Sequence, residues 1–251
     1  MVRELIRLEG VHRSFGPTTV LEGVNVRIEE GDRIGIVGHN GAGKTTLLRT
    51  ISEQDQDLGE ITFAPGLRIA FLTQIRDIDE NATLEEELSR KGRQFEEIDS
   101  ELADIERRMA DPSFYEGDWQ ADIDRYQELQ SMNVKSGGSN VAGQAQEILR
   151  ALDLSQHPMD TRLEFLSGGE RAKVALARQL VGLSEIEVFF LDEPTNHLDL
   201  RTLDWLERFL SNFNGAIVVV SHDRYFLDKV CNAILEVQDA HVAGYTGDYS
   251  S

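Results

Sequence analysis

The chain has 251 residues, 40% of them hydrophobic, enough to bury the core of one large domain or two small ones. It carries 25 Lys and Arg against 45 Asp and Glu, a formal net charge of −20, and a field of that sign repels nucleic-acid phosphate, so no contact with duplex DNA is expected. The densest apolar stretches, Val188–Leu191 and Ile217–Val220, have strand length and exclude a membrane-spanning helix. Met1-Val2-Arg3-Glu4 lacks the basic-then-apolar layout of a signal peptide, and the single Cys231 cannot form an internal disulfide. A cytoplasmic protein without membrane insertion is expected.

Two alternating segments, Leu5–Val11 and Val20–Ile28, predict antiparallel strands joined by a turn at Phe15-Gly16-Pro17. Arg33–Val37 reads as a buried strand that runs through glycines into a helix over Thr45–Ser52, and Gly66–Leu72 reads as a further strand. Towards the C-terminus, Val188–Leu191 and Ile217–Val220 are continuous apolar strands separated by Leu200–Phe213, whose Leu200, Leu203, Leu206, Phe209, Leu210 and Phe213 fall at helical spacing. Strands without alternation, separated by helices, predict a parallel sheet covered on both faces.

The middle follows another period. Leu84, Leu88, Phe95, Ile98, Leu102, Ile105 and Met109 alternate steps of four and three with an interruption at Lys91, which predicts a coiled-coil seam. A second helix beginning near Trp119, with Ile123, Tyr126 and Leu129, is expected to fold back on it after a break at Asp111-Pro112-Ser113. Residues 77–130 thus read as an antiparallel helical hairpin, carrying 18 acidic and 6 basic side chains. An amphipathic helix lying on the core is the alternative. Lys135–Gly143 reads as a loop, and Gln144–Leu152 as another helix.

Three motifs carry chemistry. Gly38-His39-Asn40-Gly41-Ala42-Gly43-Lys44-Thr45 has the pattern of a phosphate loop, whose amides turn inward around phosphate. In that pattern Lys44 reaches the β and γ oxygens and the Thr45 hydroxyl ligates Mg2+. Val188–Leu191 delivers Asp192 and Glu193 at a strand end, where Asp192 is placed to hold the metal and Glu193 to act as general base on water. Leu166-Ser167-Gly168-Gly169-Glu170 opens a helix and makes an N-terminal anion site, by itself no more than a cap.

Together these motifs resemble the ATP-binding-cassette family over nearly all of residues 3–250. The resemblance implies an α/β fold: an antiparallel β subdomain, a parallel-sheet P-loop ATPase core and an inserted helical hairpin arm. It implies that Phe15 stacks on adenine, that Thr46 joins the phosphate contacts, and that Gln74 is the glutamine that reaches the metal. It further implies that Leu166–Glu170 is the signature completing a second cassette's site in trans, that Asp199 belongs to the loop after the second carboxylate, and that His222 is the switch histidine. The runs Asp192–Asp199 and Ser221–Asp228 are similar to the ABC-F type, a group with two cassettes in one chain that acts on ribosomes and translation, some members giving antibiotic resistance. The implied layout is one ATP-binding domain over 1–251, an arm at 77–130, a signature helical region at 131–182 and the start of an interdomain linker at 245–251. ATP and Mg2+ are the implied ligands, and a second cassette and the ribosome the implied partners. The chain stops where the linker is expected to begin, which implies either the N-terminal cassette of a longer protein or a single cassette that homodimerises. The energy-coupling subunit of a membrane transporter is the alternative reading.

Overall fold

The computed structural model describes residues 2–72, 78–109, 119–126, 141–181, 186–196 and 198–247; side chains at 90–99, 141–144 and 246 are left aside. The chain forms two compact units, Met1–Arg76 with Ile186–Ser251, and Asp77–Glu185.

The first unit is built on two sheets. Strands β1 (Glu4–Phe15), β2 (Thr18–Glu29) and β4 (Leu58–Phe63) make an antiparallel sheet in the order β2-β1-β4. The remaining strands are β3 (Arg33–Val37), β5 (Ile69–Leu72), β6 (Val188–Asp192), β7 (Ala216–Val220), β8 (Ala233–Gln238) and β9 (His241–Thr246). They form one sheet in the order β5-β6-β7-β3-β8-β9, parallel except for the antiparallel edge strand β9. Every residue of β6 and β7 is buried, which explains their unbroken apolar sequence: a parallel strand with cover on both faces has no solvent side. Helices α1 (Lys44–Glu53), α5 (Leu200–Ser211) and α6 (Arg224–Val230) complete this unit. One core joins both sheets and α1, with Leu5, Leu8 and Ile28 packed in the same cluster as Ile36, Leu47, Phe190 and Val218.

The second unit holds α2 (Leu84–Met109), a helical run at 120–126, α3 (Val141–Ala151) and α4 (Gly168–Leu180). The helical run packs antiparallel on α2: Tyr126 contacts the buried pair Leu102 and Ile105, and its hydroxyl donates to Glu106 at 2.8 Å. Arg125 makes a two-pronged bond to Glu101 at 2.9 and 3.0 Å, and Arg108 pairs with Asp122 at 2.7 Å. The heptad seam therefore splits into two jobs. Its distal part, Leu102 and Ile105, faces the hairpin partner, whereas Leu84 and Leu88 are buried at the root beside the fully buried Glu87, which pairs with Arg178 of α4. The break at Asp111-Pro112-Ser113 and the side chains of Phe95 and Ile98, like Leu129, lie outside what is described.

Three boundaries differ from the sequence reading. The strand expected over Gly66–Leu72 begins only at Ile69. Helix α3 starts at Val141, inside the expected loop, and runs through Gly143; burial of Ala145, Ile148 and Leu149 outweighs the roughly 1 kcal/mol that a helical glycine costs. Tyr245 and Thr246, expected to begin a linker, are the last residues of β9, paired with Ile234 and Ala233. Residues 248–251 lie outside the described part.

Candidate functional site

The site of the first unit sits where three neighbouring parallel strands end. Strand β3, at Val37, flows into the loop 38–43 and then into α1, the connection that turns backbone amides towards a phosphate at a helix N-terminus. Within the loop, Ala42 N–H donates to His39 O at 3.1 Å. His39, Asn40 and Gly41 are exposed, while Ala42 is buried. The buried Lys44 bends back across the loop, its Nζ donating to the carbonyls of Gly38 and His39 at 3.0 Å each. A cation is thereby fixed at the loop by two neutral acceptors, free to exchange them for phosphate oxygens. Thr46 takes the third position of α1, half-buried.

The second strand of the site, β6, ends at Asp192, a buried carboxylate whose Oδ1 accepts the Thr45 hydroxyl at 3.0 Å. The next residue, Glu193, adopts a left-handed φ of +50° while its amide donates to Val220 O at 2.9 Å, extending the β6–β7 ladder by one residue. This left-handed kink is costly for a non-glycine residue and turns the carboxylate towards the end of β7. There His222 N–H donates to Glu193 Oε2 at 3.3 Å, and the His222 ring nitrogen stands 3.3 Å from Oε1. That second approach lacks hydrogen-bond alignment, so among the described residues Oε1 is a buried acceptor with no donor. Burial pushes the Glu193 pKa up, an effect opposed by His222 and Lys44 and reinforced by Asp192. The result is a carboxylate more basic than usual with one vacant lone pair. Thr195 and Ser221 close the strand ends with hydroxyls 3.3 Å apart.

The Thr45–Asp192 pair is a fit for Mg2+: two hard oxygen donors, a hydroxyl and a buried carboxyl, in contact at the loop 38–43. Among the described residues no cluster of three or more His, Cys, Asp or Glu is placed to hold a metal alone, so phosphate oxygens and water would supply the other ligands. Gln74, the third expected metal contact, lies outside the described residues, as does His197.

Phe15 closes β1 with its side chain 55% exposed. One face of its ring carries the Arg13 guanidinium, 5.0 Å from the centroid, which is in turn held by Asp55 and Asp57 at 2.7 and 3.1 Å. Arg13 escaped the sequence reading because no spacing marks it. Asp199 caps α5, its Oδ1 accepting Thr202 N–H at 2.8 Å.

The signature residues belong to the second unit. Leu166 is buried and Ser167, Gly168 and Gly169 are exposed, with open space where a Cβ on either glycine would point. Ser167 is the N-cap of α4 in a reciprocal capping box with Glu170. The Glu170 pKa falls to about 2, chiefly through the bonds from Ser167 and then through His157. His157 is the second residue that sequence spacing did not reveal.

A family model described as "ABC transporter" matches residues 21–196, which hold the phosphate loop, the signature and both strand-end carboxylates. The chain belongs to the ABC transporter family. This is a family of ATPases. Relatives of this cassette include the energy-dependent translational throttle protein EttA of Haemophilus influenzae, 35% identical over 92% of this chain and 41% of its own length. The tylosin resistance ATP-binding protein TlrC of Streptomyces fradiae is 36% identical over 96% of this chain and 44% of its own. ABC transporter F family member 5 of Arabidopsis thaliana is 32% identical over 98% of this chain and 35% of its own. The chain thus spans less than half the length of these relatives. Among solved structures, an ATP-binding subunit of an ABC transporter superposes with a TM-score of 0.66 at 19% identity, covering 96% of this chain and 90% of that one, which bears on the cassette fold alone. No helix among the described residues is long and apolar enough to cross a membrane.

Proposed function

We propose that this chain is the first cassette of a cytoplasmic ABC-F protein that binds Mg–ATP, closes on a second cassette and hydrolyses the nucleotide to do work on the translating ribosome. One observation carries the hydrolytic part: Lys44, Thr45, Asp192, Glu193 and His222 stand together at the ends of β3, β6 and β7. Lys44 exchanges its loop carbonyls for β and γ oxygens, and Thr45 and Asp192 hold Mg2+, which when bound neutralises phosphate charge. Glu193 takes a proton from the attacking water at its vacant Oε1 as the water oxygen bonds the γ phosphorus and the bond to the β-phosphate oxygen breaks, releasing ADP. His222 keeps the Glu193 carboxylate in place through its amide and presents its ring towards the same position.

Leu200 and Tyr225, 81% and 83% exposed, leave apolar surface at the first turns after Asp199 and His222, as a face covered by a second cassette requires. The arm's net charge, −12 from 18 acidic and 6 basic residues over 77–130, favours a basic protein partner over an rRNA backbone. The names of the relatives EttA and TlrC, which speak of translation and of tylosin resistance, support the ribosomal setting.

Glu193→Gln is the test. Hydrolysis should drop about 10²–10⁴-fold, the usual contribution of a general base, with ATP affinity kept within about two-fold. Wild-type turnover in the variant refutes the base assignment. In the complete gene product the same variant should retain ribosomal subunits from cell extract only with ATP; a membrane permease retained in their place refutes the translation reading.

A further inference from the structure

The signature of α4 is wired through Glu170 to a residue thirteen positions upstream. Glu170 Oε1 lies 2.9 Å from His157 Nε2, and Oε2 accepts both the Ser167 amide at 2.8 Å and the Ser167 hydroxyl at 2.7 Å. A carboxylate held near a pKa of about 2 can only accept, so Nε2 of His157 carries the proton. His157 is itself fixed, since its backbone amide donates to Leu154 O at 3.1 Å and Pro158 follows it.

Of the three donors on Glu170, two cannot leave. The amide belongs to the helix cap and the imidazole to a turn. The hydroxyl rotates about a single bond. It is also the one group of the three that the proposed function requires elsewhere, at the phosphate of an ATP bound by a second cassette.

We propose that His157 is a positioning residue for the signature serine: by keeping a donor on Glu170 Oε1, it lets the Ser167 hydroxyl turn from Glu170 to the γ-phosphate without stripping the carboxylate. This rests on the in-trans reading of the signature. Without His157, Glu170 has only Ser167 to satisfy it among the described residues, so the hydroxyl is held back and ATP must be present at higher concentration to drive closure.

The experiment is steady-state ATP hydrolysis by the complete gene product carrying His157→Leu, His157→Gln, Ser167→Ala and the Leu–Ala double variant. Loss of one bond to the carboxylate should raise KM for ATP about three- to ten-fold in His157→Leu, with kcat changed less than about two-fold. His157→Gln, whose amide can donate to Oε1, should recover most of that. In the Ser167→Ala background His157→Leu should have no further effect on KM, because the hydroxyl through which it acts is gone. A merely structural role predicts additive effects on KM and no recovery by His157→Gln, and either overturns the proposal. If Ser167→Ala lowers turnover while His157→Leu leaves KM unchanged, the signature reading stands and the role of His157 falls. If Ser167→Ala itself turns over like wild type, the in-trans signature reading fails and takes this proposal with it.

Discussion

The glycines of the phosphate loop are not equivalent, and the difference is measurable. At Gly38 φ is +150°, and a Cβ would stand 2.4 Å from the carbonyl oxygen of Val237, a backbone atom in β8. Gly38→Ala therefore meets two costs. A side chain in a region that glycine alone favours costs about 1–3 kcal/mol, and pushing a strand carbonyl aside about 1–3 kcal/mol more. Alanine returns about 0.4–1 kcal/mol by restricting the unfolded chain, leaving a net loss of about 3 kcal/mol. At Gly41 φ is +80°, but no described atom lies within 4 Å of where a Cβ would stand, so only the backbone cost applies. That cost, about 1–2 kcal/mol less the same return, comes to about 1 kcal/mol. For a chain of this size the melting temperature should fall about 6–12 °C in Gly38→Ala and about 2–4 °C in Gly41→Ala. Circular dichroism melts of the two variants, with urea titrations alongside, read the gap directly. Equal melting temperatures, or a lower one for Gly41→Ala, would refute the reasoning that the β8 carbonyl fixes the loop.

Two pH effects follow from the carboxylates. The Glu170 pKa is depressed from 4.5 to about 2, so its stabilising bonds are fully present above pH 4.5 and are lost as pH falls towards 2. The stability difference between wild type and Glu170→Gln, read by urea titration, should therefore be largest near neutrality and shrink as pH drops below 4.5; a difference constant with pH contradicts the assignment. The Glu193 pKa is raised, mainly by burial, so the base is protonated at a higher pH than an ordinary glutamate. The acid limb of kcat/KM against pH, which reports the nucleotide-free site, should fall above pH 4.5 and should vanish in the residual activity of Glu193→Gln; a limb at or below 4.5 removes the desolvation argument.

Much of this was legible in the sequence where burial imposes a pattern. β6 and β7 read as continuous apolar runs because they are covered on both faces, and the loop 38–43 between β3 and α1 read directly from its glycines. The hairpin β8–β9 was not legible. Its turn is Asp239-Ala240, with φ of +48° and +65°, positions at which Asn or Gly would have announced a turn. β4 was hidden for a related reason: Leu58, Gly59 and Glu60 are all exposed, so its first half lacks the alternation of a half-buried strand. At the candidate site, motif spacing pointed to Lys44, Thr45, Asp192 and Glu193, and the fold sets Thr45 against Asp192 and Glu193 at the same strand end. Arg13 and His157 act through contacts that only the fold creates, 42 residues away in sequence for Arg13 and Asp55 and 13 for His157 and Glu170.

Helix α2 is unbroken over 26 residues, which at 1.5 Å per residue makes a rod about 39 Å long. Its first turns are clamped at Leu84, Glu87 and Leu88, where Glu87 grips the helix that carries the signature, and its far end is stiffened by the return segment through Leu102, Ile105 and Tyr126. A stiff rod held at one end multiplies angle into distance: tilting α2 by about 10° at its root carries the tip about 7 Å, by the same rise per residue. A force on the distal end would reach the helix Gly168–Leu180 through the contacts at that root, the Glu87–Arg178 pair among them.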